Sequence, residues 1–160
     1  MSPASLRPAG DPDVAAIASI WHDAWHDAHD GHVPAGLVDD RPLQYFTDRT
    51  PDLIARITVA EDESGVVGFV TVTDDELDLL FVTVRARGAG VAAGLLTDGE
   101  RQIAARFDTA WLEVVTGNAR ARAFYTRQGW RDTGSADHTV ETSGGPVLVA
   151  SNKYEKWLRG

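Results

Sequence analysis

Leu79-Leu80-Phe81-Val82-Thr83-Val84-Arg85-Ala86-Arg87-Gly88-Ala89-Gly90-Val91-Ala92-Ala93-Gly94-Leu95-Leu96 is the stretch on which the fold turns. A strongly apolar run predicts a central strand over Leu77–Val84. The turn Arg87–Ala92 then opens a helix running to about Phe107, with Ala92, Leu95, Leu96, Ile103 and Phe107 as its buried stripe. At such a helix start several backbone N–H groups lack partners, and the helix dipole favours negative charge. Gly88 and Gly90 remove the side chains that would keep an anion from the backbone, and Arg87 adds a charged donor. The segment therefore reads as a strand delivering an anion to a helix N-terminus.

Three sites use such a turn. A P-loop needs Gly-Lys-Ser/Thr, and the first lysine of this chain is Lys153. A dinucleotide turn is closer, because Gly88, Gly90 and Gly94 form G-x-G-x-x-x-G. That fold requires an acidic residue at the tip of the next strand, about 20 residues on. Here the next strand ends Val114-Val115-Thr116, and Asp108 precedes it. An NADP-binding oxidoreductase thus stands only as a remote rival.

Outward from the turn, a helix is expected over about Asp13–Asp30, from Val14, Ile17, Ala18, Trp21, Trp25 and Ala28 at helical spacing. Asp11 or Asp13 can cap it. A short second helix is expected around Leu43–Asp48. Ile57–Ala60 and Val66–Val72 read as a hairpin closed by Glu61–Gly65. After the helix that follows the glycine turn come a strand over Ala110–Val115, a helix from Asn118 to about Gln128 with Gly129 at its C-cap, and closing strands Trp130–Thr133, His138–Thr142 and Val147–Tyr154. The sum is a mixed α/β fold, a mostly antiparallel sheet of six or seven strands flanked by about four helices. With 160 residues it is expected to form a single domain, 1–160.

Composition removes whole classes. The net charge of −9 argues against nucleic acid or anionic membrane as partner. No apolar run approaches a membrane span, and Met1–Gly10 lacks a signal-peptide layout, so cytoplasm is the expected compartment. The absence of cysteine excludes disulfides, thiolate metal sites and a cysteine nucleophile. His22 and His26 stand four apart on one helix, but no second ligand set accompanies them, so no metal is expected.

Asn118-Ala119-Arg120-Ala121-Arg122-Ala123-Phe124-Tyr125-Thr126-Arg127-Gln128-Gly129-Trp130 is the second informative stretch. Asn118 is a good N-cap, and Tyr125 carries a phenol able to give a proton. The two stretches together resemble the GNAT superfamily of N-acetyltransferases. Arg87-Gly88-Ala89-Gly90-Val91-Ala92 matches its pyrophosphate motif, Gln/Arg-x-x-Gly-x-Gly/Ala, at every fixed position. Asn118, Phe124-Tyr125 and Gly129-Trp130 match its second motif. The chain departs at Val84, where many relatives carry proline.

The resemblance implies acetyl-CoA as cosubstrate and direct transfer to a primary amine of a small molecule, or less readily to a peptide N-terminus or lysine. A catalytically silent acyl-CoA sensor on the same fold is the alternative. It implies central strands that splay apart, with main-chain groups of Val82 and Val84 pairing with the pantetheine arm. It assigns Arg87, Gly88, Ala89, Gly90, Val91 and Ala92 to the pyrophosphate, Asn118 and Tyr125 to the cofactor, and Tyr125 to protonation of the departing thiolate. The base that takes the amine proton is sought among Glu76, Asp78 and Glu113, with Glu76 favoured. Glu76 and Asp78 are expected on one face of the strand with Leu80 and Val82. Trp25, His29, Tyr45 and Glu113 are the expected acceptor contacts, with Asp39 and Asp40 available to attract a cationic amine. A homodimer is compatible with this reading.

Overall fold

The computed structural model describes residues 4–159. Its main sheet has seven strands in the order β1-β2-β3-β4-β5-β9-β6, and β7 and β8 form a separate ribbon. The strands are β1 (Ser5–Pro8), β2 (Ile57–Asp62), β3 (Gly65–Thr73), β4 (Glu76–Val82), β5 (Thr109–Val115), β6 (Arg131–Ser135), β7 (His138–Thr142), β8 (Gly145–Val149) and β9 (Ser151–Trp157). The helices are α1 (Val14–His29), α2 (Ala35–Asp39), α3 (Leu43–Leu53), α4 (Val91–Ala104) and α5 (Ala119–Arg127).

The sheet separates two apolar layers. On one face Leu95, Leu96 and Ile103 of α4 and Tyr125 of α5 pack on Val67, Val70, Leu77, Leu112 and Tyr154. On the other, Ile17, Ile20 and Trp21 of α1 meet Phe46 of α3 and Val59 and Phe69 of the sheet. Helix α4 lies so close that a Cβ on Gly99 would stand 2.8 Å from Leu77 Cδ1. Glycine there is what permits the approach.

Strands β4 and β5 run parallel yet share only the pair Glu76↔Trp111. Trp111 fastens that end twice, its N–H and its indole Nε1–H donating to Asp75 O and Oδ1, both at 3.0 Å. Beyond it the strands diverge. The cause lies in β4: β3 pairs Val72 with Leu77 and Thr71 with Leu79, leaving Asp78 as a bulge. A bulge bends its strand and strengthens local twist. It also breaks the expected alternation. Leu77, Leu80 and Val82 pack on the α4 side, whereas Leu79 and Phe81 pack on the α1 side. Glu76, opposite Leu77, therefore does not share a face with Leu80 and Val82, as plain alternation predicts. It shares one with Glu113, whose neighbours Leu112 and Val114 belong to the α4 layer.

Other expectations shift at the edges. The central strand ends at Val82, and Val84 lies in a one-turn 3₁₀ segment, Val84–Ala86. The expected strand Val147–Tyr154 is broken at Ala150, so that β8 pairs with β7 while β9 pairs with β5 and β6. Asp13 precedes α1 but does not cap it; its carboxylate takes the Arg7 guanidinium at 2.8 and 2.9 Å and the Gly10 N–H. Strand β1 and helix α2 are additions the sequence reading lacks. None of the described helices is long and apolar enough to cross a membrane.

Candidate active site

The glycine turn builds the first half of the site. Gly88 and Gly90 both hold φ near +80°, and Gly90 is the left-handed N-cap of α4. A Cβ at either would meet nothing within 4 Å, so the turn faces open space. The N–H groups of Arg87, Ala89 and Gly94 are spent on Val84, Ala86 and Gly90 carbonyls. Those of Gly88, Gly90, Val91 and Ala92 have no backbone acceptor among the described residues. They border a cavity of about 410 Å³ lined also by Val82, Arg87, Asn118, Arg120, Phe124 and Tyr125.

Two arginines meet over this cavity. Arg87 Nη2 and Arg120 Nη2 both donate to Asp27 Oδ2, at 2.6 and 3.0 Å. The pair holds the Asp27 carboxyl below its usual range, the Arg87 bond first. Asp27 is a residue that sequence reasoning missed, since the pairing spans 60 residues to Arg87 and 93 to Arg120.

The open edge of β4 forms one wall. The Thr83 N–H donates to Val67 O on the β3 side. Alternation then turns the N–H and C=O of Val82 toward the gap left by β5. Val84 does not share this position: it is 65% exposed, and its carbonyl accepts from Arg87.

A second cavity of about 290 Å³ continues through the splay. It is lined by Trp25 and His29 of α1, Asp78, Leu80 and Phe81 of β4, Glu113 of β5, and Val149 of β8. Leu80, Phe81, Asn118, Ala121 and Tyr125 border both cavities, so the two adjoin. Tyr125 is 8% exposed and stands at the junction. Its hydroxyl has no hydrogen-bond partner among the described residues, and burial drives its pKa well above the ordinary phenol value.

Acidic groups gather near the far end: Asp78 and Glu113 line the second cavity, whereas Glu76 lines neither. Glu76 is pushed up to about 7, first by desolvation and then by Asp78, Glu113 and Asp75. Asp78 is also raised, chiefly by the protein crowding it. His138 of the ribbon pairs with Glu113 through Nε2.

Residues 54–132 match the family model described as the acetyltransferase (GNAT) domain. The chain carries a GNAT acetyltransferase domain. No curated protein matches the sequence significantly. Solved structures share its fold at low identity. A GCN5-related N-acetyltransferase from Rhodopseudomonas palustris is 22% identical with a TM-score of 0.72, over 98% of this chain and 97% of that one. The PaiA N-acetyltransferase of Thermoplasma acidophilum, in complex with coenzyme A, is 16% identical with a TM-score of 0.74, over 98% and 99%. YncA from Salmonella typhimurium, with its cofactor acetyl-CoA, is 18% identical with a TM-score of 0.67, over 99% and 96%.

Within this GNAT domain the expected residues are sorted by geometry. Val82, Arg87, Gly88, Gly90, Val91, Ala92, Asn118 and Tyr125 line the first cavity, whereas Ala89 and Val84 do not. Asn118 caps α5, its Oδ1 accepting from the Ala121 N–H at 3.2 Å. Trp25, His29 and Glu113 line the second cavity. Tyr45 lines neither; its ring lies between the guanidinium groups of Arg41 and Arg49, at 4.1 and 3.4 Å. Asp40 is likewise committed elsewhere, accepting from Ser143 N and Oγ at 2.7 Å and so fastening the ribbon's turn. His26 has both ring nitrogens engaged, with Asp30 and with Arg41 O.

Proposed function

We propose that this protein is an acetyl-CoA-dependent N-acetyltransferase acting on the primary amine of a small, cationic molecule. The observation that carries the reading is a pair of adjoining cavities: an anion cradle at one, carboxylates at the other, and Tyr125, with its unpartnered hydroxyl, bordering both.

The residues present fit the coenzyme. Free amides at Gly88, Gly90, Val91 and Ala92, with Arg87 and Arg120 beside them, suit a pyrophosphate. The inward-facing N–H and C=O of Val82 suit the amide-bearing pantetheine arm, added as an extra strand. When bound, the coenzyme supplies an acyl thioester. The Val82 N–H is then available to the carbonyl oxygen as negative charge develops there. Tyr125, kept neutral by burial, is the proton donor for the departing sulfur.

The acceptor end sets the amine. A cavity of about 290 Å³ is equivalent to about ten water molecules, which suits a small molecule better than a folded protein surface. Asp78 and Glu113 attract a cationic acceptor. The reacting nitrogen must lose its proton, and Glu76, which titrates near neutrality, takes it through water. Trp25 and His29, stacked at 4.1 Å, give the cavity a flat apolar wall.

The test is thiol release from acetyl-CoA across monoamines, diamines, polyamines, amino acids, aminoglycosides and peptides. Release with cationic amines supports the proposal. Tyr125→Phe is expected to lower kcat by about 10²-fold while leaving coenzyme affinity near that of the wild type. Coenzyme binding without release by any amine would favour the silent sensor.

A further inference from the structure

The pyrophosphate cradle of this protein comes with its own counter-ion. One oxygen, Asp27 Oδ2, accepts from both Arg87 and Arg120. These arginines arise from different elements: Arg87 from the turn ahead of α4, and Arg120 from the first turn of α5. The carboxylate comes from a third, α1. All three side chains keep solvent contact, at 42% for Asp27, 31% for Arg87 and 58% for Arg120, so the triad can open without exposing a core. Both arginines line the cavity, with Ala24 and Ala28 of α1 beside them.

We infer that Asp27 is a displaceable counter-ion that holds Arg87 and Arg120 over the cavity until a polyphosphate takes them. The inference rests on the coenzyme reading above. Carboxylate and phosphate oxygens compete for the same guanidinium donors, and both prefer charge-assisted bonds. In a chain of net charge −9, two arginines side by side would otherwise pair with other carboxylates or bind stray anions. Asp27 keeps them together and aimed, at the cost of a negative charge beside the ligand's own.

The exchange also reaches the acceptor. Asp27 lies two residues after Trp25 and two before His29, and those two side chains wall the second cavity. Release of Asp27 frees the C-terminal turn of α1 from the cradle. Coenzyme binding is thereby felt at the acceptor end through one helix.

The experiment uses the full chain with coenzyme A and, separately, inorganic pyrophosphate as calorimetric titrants, for the wild type, Asp27→Asn and Asp27→Glu. Removing one charge a few ångströms from the ligand is expected to tighten coenzyme A binding about 3- to 10-fold at low salt. Asp27→Asn should also lose affinity more steeply as NaCl rises, and Asp27→Glu should restore wild-type values. Hydrogen exchange in α1 residues 24–29 should quicken in Asp27→Asn and, in the wild type, on adding coenzyme A. Weaker or unchanged binding by a folded Asp27→Asn overturns the inference. A wild type that binds neither titrant instead overturns the coenzyme reading itself.

Discussion

Glu76→Gln separates function from stability in opposite directions. Above pH 7 the folded chain carries an ionised Glu76 that is half-buried and faces Asp78 and Glu113, an environment the unfolded chain lacks. The carboxyl is raised from its ordinary 4.5 to about 7. At ~1.4 kcal/mol per unit, that gap corresponds to about 3 kcal/mol. Solvent reaches the group, and screening reduces the expected effect to about 1–2 kcal/mol. The wild type keeps this stability in full below the ordinary value, loses it as pH rises through about 7, and levels off above. Glutamine keeps the shape and removes the charge. Urea midpoints should therefore nearly coincide near pH 4.5 and favour Glu76→Gln by about 1–2 kcal/mol at pH 8.5, with unchanged m-values. Thiol release at pH 7.5 should fall by about 10²-fold. A stability difference that does not vary with pH would refute the reasoning about the carboxylate cluster, and an undiminished rate would refute the base.

Other perturbations probe the two cavities. Gly90→Ala forces a Cβ onto a residue at φ +80°, which costs about 1 kcal/mol of stability, measurable by urea titration. The new methyl group also enters the space above the α4 amides, so coenzyme A affinity by calorimetry should drop about tenfold or more. His29 is lowered to about 4, mainly by burial, so the fold requires its neutral ring. Its contribution is complete above the ordinary 6.5 and fades as pH falls through about 4, a loss on the order of 2 kcal/mol. His29→Gln should flatten that acid limb of a pH–stability profile.

Much of the site was legible because its chemistry is local. Arg87, Gly88 and Gly90 announce an open glycine turn at a helix start within one turn of chain, and Asn118 announces a cap within one residue. Tyr125 was legible through its place in the second motif. The splay of β4 from β5 came from family resemblance; its physical cause, the bulge at Asp78, is invisible in the sequence. Glu76-Leu77-Asp78-Leu79 reads as clean alternation, and only pairing with β3 reveals that one residue is extra. Asp27 was missed for a related reason. A polar residue on an exposed helix face gains meaning only when α1, the glycine turn and α5 converge. Tyr45 and Asp40 failed the other way: both are the right residue types near the acceptor end, yet arginine stacking and the Ser143 contacts hold them. The break at Ala150 carries no proline or glycine signal in Val147-Leu148-Val149-Ala150-Ser151, because it is imposed by which partner strand each side finds.

The central claim is that coenzyme A binds with its pyrophosphate on the turn Arg87–Ala92. Backbone amide NMR of the full chain, titrated with coenzyme A, addresses it directly. The account predicts that the largest shifts fall on the N–H groups of Gly88, Gly90, Val91 and Ala92, with a second set at Val82 and Asn118. Saturable binding whose shifts leave this turn untouched, or no binding at millimolar coenzyme, would contradict it.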